Sequence, residues 1–328
     1  MADTVAGTVA DTKPDTKPGT VAGTMAGTKP VLDLPHFEAL TRDARYACAG
    51  AAAPVSHCYM LPEEAARLCA QGTLRYRLCA NGLLLFHTRG RCVLAMVIAD
   101  VASPLEAGAL CGFDKPLRVD IPSQRGRYAP GAEALAPWLR QAGFAKRATA
   151  RRISFRPAPA KQREGAGEGD GAVDGAEAGD TRAATRSRQA PALTLLWAGA
   201  EWAGAIMSLW EGTFDCIAND VPTRDGLETL LAQGHILCAL AADGSLAGVL
   251  QAEFTASTGW LWHLAIQPSL RGQGIGRQLM DAFHAKGQAG GSRVFYAWVS
   301  DLDAGAWDFY QKLGYLPDGR ESDSYIRI

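Results

Sequence analysis

The chain reads as an α+β protein, built on a mixed, mostly antiparallel sheet flanked by helices. Three observations lead there. Residues 235–254, "HILCALAADGSLAGVLQAEF", hold two apolar runs joined around Asp243 and Gly244, a pair that signals a β-hairpin. Residues 259–266, "GWLWHLAI", read as a further strand that leads, past a proline, into glycines at every second position and then a helical pattern. Two low-complexity stretches divide the rest into two foldable segments, as a length of 328 residues allows.

The first of these stretches covers residues 3–30, where seven tetrapeptides of the DTVA, GTVA and DTKP type follow one another in register. Repeating units that stack into a solenoid are about 20 residues or longer. Four residues with one Val or Met bury nothing, so residues 1–30 are expected to form a disordered tail. The second stretch, 157–190, is rich in Gly, Ala and mixed charge and nearly free of large apolar residues, which describes a flexible linker. The folded segments are then 31–156 and 191–328.

In the second segment, 193–198 is a short strand and Ala200 to Trp210 has helical spacing. Arg224 to Gln233 is a helix that Gly234 is placed to end. The hairpin and the 259–266 strand follow, then a helix from about Gly276 to Lys286, a strand over 293–299, a short helix from Ala304 to Leu313, and a closing strand "DSYIRI". In the first segment, 73–99 alternates like a meander of strands turning at Asn81-Gly82, 117–122 is a strand, and 134–155 is a helix followed by a strand.

Composition excludes some classes of function. A net charge of −1 offers no clustered cation for nucleic acid, and no apolar run approaches the roughly 20 residues that span a bilayer. The N-terminus has neither the basic start nor the apolar core of a secretory signal, which makes the cytoplasm the expected compartment. Six of the eight cysteines (Cys48, Cys58, Cys69, Cys79, Cys92 and Cys111) fall in the first half without C-x-x-C or zinc-site spacing, so small buried apolar roles are expected and no metal.

The glycine run carries the chemistry. Glycine tolerates positive φ and lets a ligand approach the backbone, and a helix start presents unpaired N–H groups at the positive end of its dipole. Gly272, Gly274 and Gly276, ahead of Arg277, therefore read as a pyrophosphate cradle, with Arg271 and Arg277 adding charge. A Walker A loop is excluded because Gly276 precedes Arg277 and Gln278 rather than Lys and Ser or Thr. A dinucleotide fingerprint fails on spacing and on the antiparallel strands that come before it.

The pattern Arg271-x-x-Gly274-x-Gly276, entered from "LAIQPSLRGQG", resembles the acyl-CoA loop of the GNAT N-acyltransferase superfamily. "DAGAWDFYQKLGY", Asp303 to Tyr315, resembles that family's later N-x-x-A-x-x-F-Y-x-x-x-G-F signature, and the likeness covers about 191–328. It implies a GNAT sheet in which strands 259–266 and 293–299 are parallel and splay around acetyl-CoA. Backbone groups of Leu264, Ala265 and Ile266 would meet the pantetheine arm. Those of Arg271, Gly272, Gln273, Gly274, Ile275, Gly276 and Arg277 would take the diphosphate. The amine would attack the thioester directly, without a covalent enzyme intermediate.

By the same resemblance Tyr310 is the catalytic residue that protonates, or hydrogen-bonds, the departing thiolate, and a phenol with its pKa of about 10 suits that task. Asp303 stands where the family often has a cofactor-contacting Asn. A carboxylate cannot donate as an amide can. On the strand before the loop many members carry a carboxylate or His as base, and here the matching positions hold Trp260 and Trp262. Strand alternation points His263 to the opposite face unless a bulge turns it. Glu253 is read either as a base acting through water or as a solvated strand carboxylate. The two tryptophans are read either as core aromatics or as the lining of an acceptor pocket.

The first segment echoes this architecture. "WLRQAGF", 138–144, lines up with "FYQKLGY", 309–315, with Leu139 where Tyr310 stands. The stretch between Ala99 and Leu117 is too short and too poor in glycine for a cofactor loop and helix. Two readings follow, a degenerate GNAT-like half that frames the acceptor pocket or an unrelated α+β domain. The expected activity is acetyl-CoA-dependent N-acetyl transfer to a small-molecule or protein amine, against the alternative of a CoA-binding pseudoenzyme acting as sensor or scaffold.

Overall fold

The computed structural model describes residues 25, 27–58, 60–105, 108–128, 131–157 and 193–328. The tetrapeptide run up to residue 24 and the linker from residue 158 lie outside them. The N-terminal half runs β1 (Lys29–Pro30), α1 (Leu34–Cys48), β2 (Pro54–His57), α2 (Pro62–Ala70), β3 (Leu74–Cys79), β4 (Gly82–Arg89), β5 (Cys92–Asp100), β6 (Leu117–Gln124), β7 (Arg127–Tyr128), α3 (Ala132–Gln141) and β8 (Ala145–Phe155). The C-terminal half runs β9 (Thr194–Trp197), α4 (Ala203–Thr213), α5 (Arg224–Ala232), β10 (Ile236–Leu240), β11 (Leu246–Phe254), β12 (Thr258–Ile266), α6 (Ile275–Ala289), β13 (Val294–Ser300), α7 (Ala304–Lys312) and β14 (Leu316–Arg327).

Local chemistry sets several of these boundaries. Asp33 caps α1 by accepting the His36 amide at 2.8 Å, and Thr223 caps α5 through the Gly226 amide. The expected turn at Asn81-Gly82 joins β3 to β4. A Cβ on Gly82 would stand 2.2 Å from the Ile98 carbonyl oxygen, so no other residue fits there.

Among the described residues all the strands join one sheet of 14, with the main order β1-β3-β4-β5-β6-β14-β8-β13-β12-β11-β10-β9. The order is a palindrome about its centre, with β4, β5 and β6 mirrored by β11, β12 and β13. Two parallel pairs, β5 with β6 and β12 with β13, occupy equivalent places, and every other pairing is antiparallel. At the centre the halves exchange their last strands. β8 pairs with β13 and β14, while β14 pairs with β8 and β6.

This exchange corrects the expected division at 157–190, which separates the chain in sequence but not in the sheet. The expected tail boundary moves too. Met25 is buried and bridges Phe113, and Lys29–Pro30 pairs with β3.

Helices cover both faces of the C-terminal half. Ile206, Trp210, Leu227 and Leu231 of α4 and α5 pack on Ile236, Cys238, Val249 and Ala265. Ile275, Leu279, Met280 and Phe283 of α6 pack on the opposite side against Leu237, Leu250, Leu261 and Phe295. In the N-terminal half α1 and α2 cover one face and α3 the other. Among the described residues no helix lies between β5 and β6, where α6 has its counterpart position. Cys48, Cys58, Cys69, Cys92, Cys111, Cys216 and Cys238 are free thiols.

Candidate active site

The parallel strands β12 and β13 pair only from Thr258↔Val294 to Leu261↔Ala297 and then diverge. Beyond that point β12 keeps β11 on one side, through Leu250↔Leu264 to Gly248↔Ile266, and leaves its other edge open. The Gln267 amide donates to the Ala247 carbonyl of β11 at 2.9 Å, so by the alternation of an antiparallel ladder Leu264 and Ile266 turn their backbone groups toward the opening. The opening is a cavity of about 530 Å³, lined among others by Trp262, Leu264, Ile266, Trp298, Ser300 and Tyr310.

At its foot lies the glycine loop. Gly272 and Gly274 have φ of 75° and 83°, and Gly274 is the N-cap of α6. Their Cβ positions meet nothing within 4 Å, so conformation rather than crowding demands glycine there. The Gln278 amide is the first of α6 to find a helical acceptor, Gly274 at 3.1 Å. The amides of 272–277 donate to no group among the described residues. Six free donors at the positive end of a helix of 15 residues fit an anion with several oxygens. Arg271 and Arg277 also line the cavity; Arg271 donates to the Ile266 carbonyl at 3.3 Å, and Arg277 faces Asp281 in a loose, exposed pair.

Tyr310, on α7, is 8% exposed and points into the same cavity. Burial, with the Asp303 carboxylate nearby, raises its hydroxyl above the ordinary tyrosine range, so it stays protonated at neutral pH. Asp303 also lines the cavity, but its carboxylate accepts the Ala306 amide at 3.2 Å as the cap of α7. That capping role accounts for an acid at this position.

The remaining sequence-derived candidates divide. Leu264, Ala265, Ile266, Arg271, Gly272, Gly274, Ile275, Gly276, Arg277 and Trp262 border the cavity, whereas Gln273, Trp260 and Glu253 do not. Glu253 is exposed and accepts the Trp262 indole N–H at 3.1 Å, which puts it beside the cavity mouth rather than within.

The bulge that would turn His263 is present. Gln251 faces His263 and Ala252 faces Leu261, so Trp262 is the extra residue and the side-chain alternation resets across it. His263 packs on Trp210 and Phe214, with its ring nitrogens 2.7 Å from the Gln251 carboxamide and 2.8 Å from the Asn219 carbonyl. Burial lowers its pKa and holds the ring neutral. Both nitrogens are committed, so it secures the loop after α4 instead of taking a proton.

That loop brings in residues the sequence did not reveal. Phe214, Asp215 and Asn219 line the same cavity as the glycine loop. Burial would raise the Asp215 carboxyl, but the amides of Ala218 and Ile217 and the Arg147 guanidinium outweigh it and keep the group ionised. Residues from the N-terminal half hold the loop. Arg118 donates to the Ile217 carbonyl at 2.7 Å and to Asp220 at 2.8 Å, and Arg89 meets Asp220 at 2.9 Å.

The equivalent opening in the N-terminal half is filled by the chain itself. β5 and β6 pair only at Val93↔Leu117 and Leu94↔Arg118. Beyond these, β2 lies along β5 from His57↔Val97 to Pro54↔Asp100. The other edge of β5 is fully taken by β4, so β2 occupies the edge that β12 leaves free.

Residues 203–315 match the family model described as "Acetyltransferase (GNAT) family". No curated protein matches the sequence. Among solved structures, a GCN5-related N-acetyltransferase from Sphaerobacter thermophilus is similar over 92% of this chain and 94% of that one, at 12% identity and a TM-score of 0.50. A tandem GNAT protein from the clavulanic acid biosynthesis pathway, solved without AcCoA, is similar over 92% and 97%, at 12% identity and a TM-score of 0.49. At such identities the first likeness is one of fold, and it spans both halves.

Proposed function

Starting from the membership of residues 203–315 in the acetyltransferase (GNAT) family, we propose that the protein is an N-acetyltransferase that moves the acetyl group of acetyl-CoA to a primary amine, at one site in the C-terminal half. The observation that carries this reading is the row of six unpaired amides, 272–277, at the foot of a slot edged by Leu264 and Ile266.

Bound there, acetyl-CoA supplies an activated thioester. The loop amides with Arg271 and Arg277 suit its diphosphate, and the free edge of β12 suits the amide-bearing arm as an added strand. β2 on β5 is an internal precedent, since a strand already seats in the equivalent place. Tyr310 keeps its proton and donates it to the departing thiolate. Asp215, held ionised in the cavity wall, faces the incoming ammonium. The ammonium loses a proton before it attacks, and Glu253, which accepts the Trp262 indole N–H beside the cavity mouth, would take that proton through water. Otherwise the protein contributes position: the amine attacks the carbonyl carbon directly and no side chain is acylated.

A second reading, a CoA-binding sensor or scaffold, draws on the placement of Glu253 outside the cavity. The two separate in one experiment. The full chain is titrated with CoA by calorimetry, then incubated with acetyl-CoA and a panel of amines while thiol release is followed. Saturable binding with turnover of at least one amine is expected. Binding without turnover of any amine favours the sensor, and no binding removes both.

A further inference from the structure

We propose that Trp260, Trp262, Tyr296 and Trp298 form the seat of the acceptor and select a small primary amine that carries an aromatic ring. The inference rests on the acetyltransferase reading and names its substrate class.

The four rings share one face of β12 and β13. On β13 the alternate residues Phe295, Ala297 and Val299 are buried against α6, which leaves Tyr296 and Trp298 on the other side. Trp260 stacks on Tyr296 with centroids 4.8 Å apart and planes at 27°, and on Trp262 at 6.0 Å and 23°. The helices α4 and α5 cover this face only toward His263 and Ala265.

None of the four rings belongs to a hydrophobic core of the molecule, and Trp262 is 36% exposed. A continuous shelf of half-exposed rings is costly to keep in water unless something docks on it. Trp262 and Trp298 belong both to the shelf and to the cavity wall, so the shelf meets the cavity where the amine must react.

The charges beside the shelf decide which acceptor it suits. Arg152 lies over Tyr296 at 4.7 Å and is paired with Asp318 at 2.6 Å. Glu253 accepts the Trp262 indole N–H. Arg152 also lies 5.9 Å from the Trp260 ring, so the faces of Trp260 and Tyr296 are partly taken. The shelf therefore offers chiefly the exposed ring of Trp262, with its charged neighbours already engaged, whereas a polyamine would need free carboxylates along its length. An aromatic body lies on these rings with its amine directed to Asp215.

The test compares kcat/KM for 2-phenylethylamine and tryptamine with that for hexylamine and spermidine, in the full chain and in Trp260→Ala. CoA affinity by calorimetry is the control, and Tyr296→Leu is a second variant should Trp260→Ala fail to fold. Aromatic amines should exceed hexylamine by about tenfold, the size of one favourable aromatic contact. The variants should erase that ratio with CoA affinity unchanged. Equal rates for hexylamine, a preference for spermidine, or a ratio that survives both variants would overturn the proposal while leaving the enzyme reading intact. If CoA binds and no amine turns over, the enzyme reading fails, and quenching of tryptophan fluorescence by 2-phenylethylamine decides the shelf. Saturable quenching lost in the variants supports it, and none overturns it.

Discussion

The Tyr310 phenol sits at the cavity end of α7 with its acidity suppressed by burial, first of all, and by Asp303. The hydroxyl is protonated at neutral pH, so it has a proton available for the thiolate, although holding that proton more firmly makes it a weaker acid than a free tyrosine. Replacing it with phenylalanine keeps the ring and its packing on Phe309 and Tyr315. Tyr310→Phe should therefore lower kcat by about 10²-fold, within the range for loss of a general acid, and leave CoA affinity by calorimetry unchanged. Unaltered turnover would remove the hydroxyl from the mechanism. Gly274 makes the complementary case for binding. At φ 83° an alanine pays about 1–2 kcal/mol for the left-handed conformation although its Cβ has open space. Gly274→Ala should weaken CoA by about tenfold through the loop geometry, on the same energy scale. An unchanged Kd would mean that the amides are not the anion site. These residues were legible in the sequence because an ordered glycine spacing and an aromatic helix motif are local signals. The bulge at Trp262, which decides the face of His263, was not, because it exists only in the pairing of β12 with β11.

At the scale of elements, the loop from Phe214 to Thr223 forms part of the cavity wall but owes its position to the other half. Arg118 is buried, and its guanidinium joins Asp120, Asp220 and the Ile217 carbonyl. Asp220 itself has φ 56°, a left-handed conformation that persists because Arg89 and Arg118 hold its carboxylate. A lysine at 118 keeps the charge but loses the planar fork that reaches all three partners. Arg118→Lys should raise the acceptor KM several-fold, roughly the 1–2 kcal/mol of one or two charge-assisted hydrogen bonds. It should also speed amide hydrogen exchange over 214–223 and leave CoA affinity unchanged. An effect on CoA affinity equal to that on KM would show a general loss of structure instead. The sequence gives no warning of this arrangement. Helices α4 and α5 were readable from their periodicity, but Arg118 and Arg89, which fasten the loop between them, lie far back in the chain, on strands whose neighbours only the fold determines.

The whole molecule is a single sheet closed by exchange, and that has consequences for what each half can do alone. Without β14 the N-terminal half exposes facing edges of β6 and β8; without β8 the C-terminal half exposes those of β13 and β14. Unpaired central edges of this kind aggregate or recruit partners. Fragments 25–156 and 193–328, expressed singly, should be insoluble or fail to bind CoA, and their co-expression should restore a complex that binds it. A soluble 193–328 with full affinity would show that the exchange is dispensable. The low-complexity linker suggested two units because composition reports on the chain locally, whereas exchange is a property of pairing between its distant parts. The same symmetry raises the question of how many cofactor molecules one chain holds. Two splayed parallel pairs are present, so a count of two would follow from topology alone. The side of β5 that matches the free edge of β12 is already hydrogen-bonded to β2, and no helix lies between β5 and β6 among the described residues. Binding a second CoA would require displacing β2, whose Val55 is buried with the core of that half. Calorimetric titration of the full chain with CoA should therefore give a stoichiometry near one, unchanged by the substitution Val55→Thr, which keeps the strand. A value near two would mean that β2 yields its place and that the N-terminal half is a second binding site.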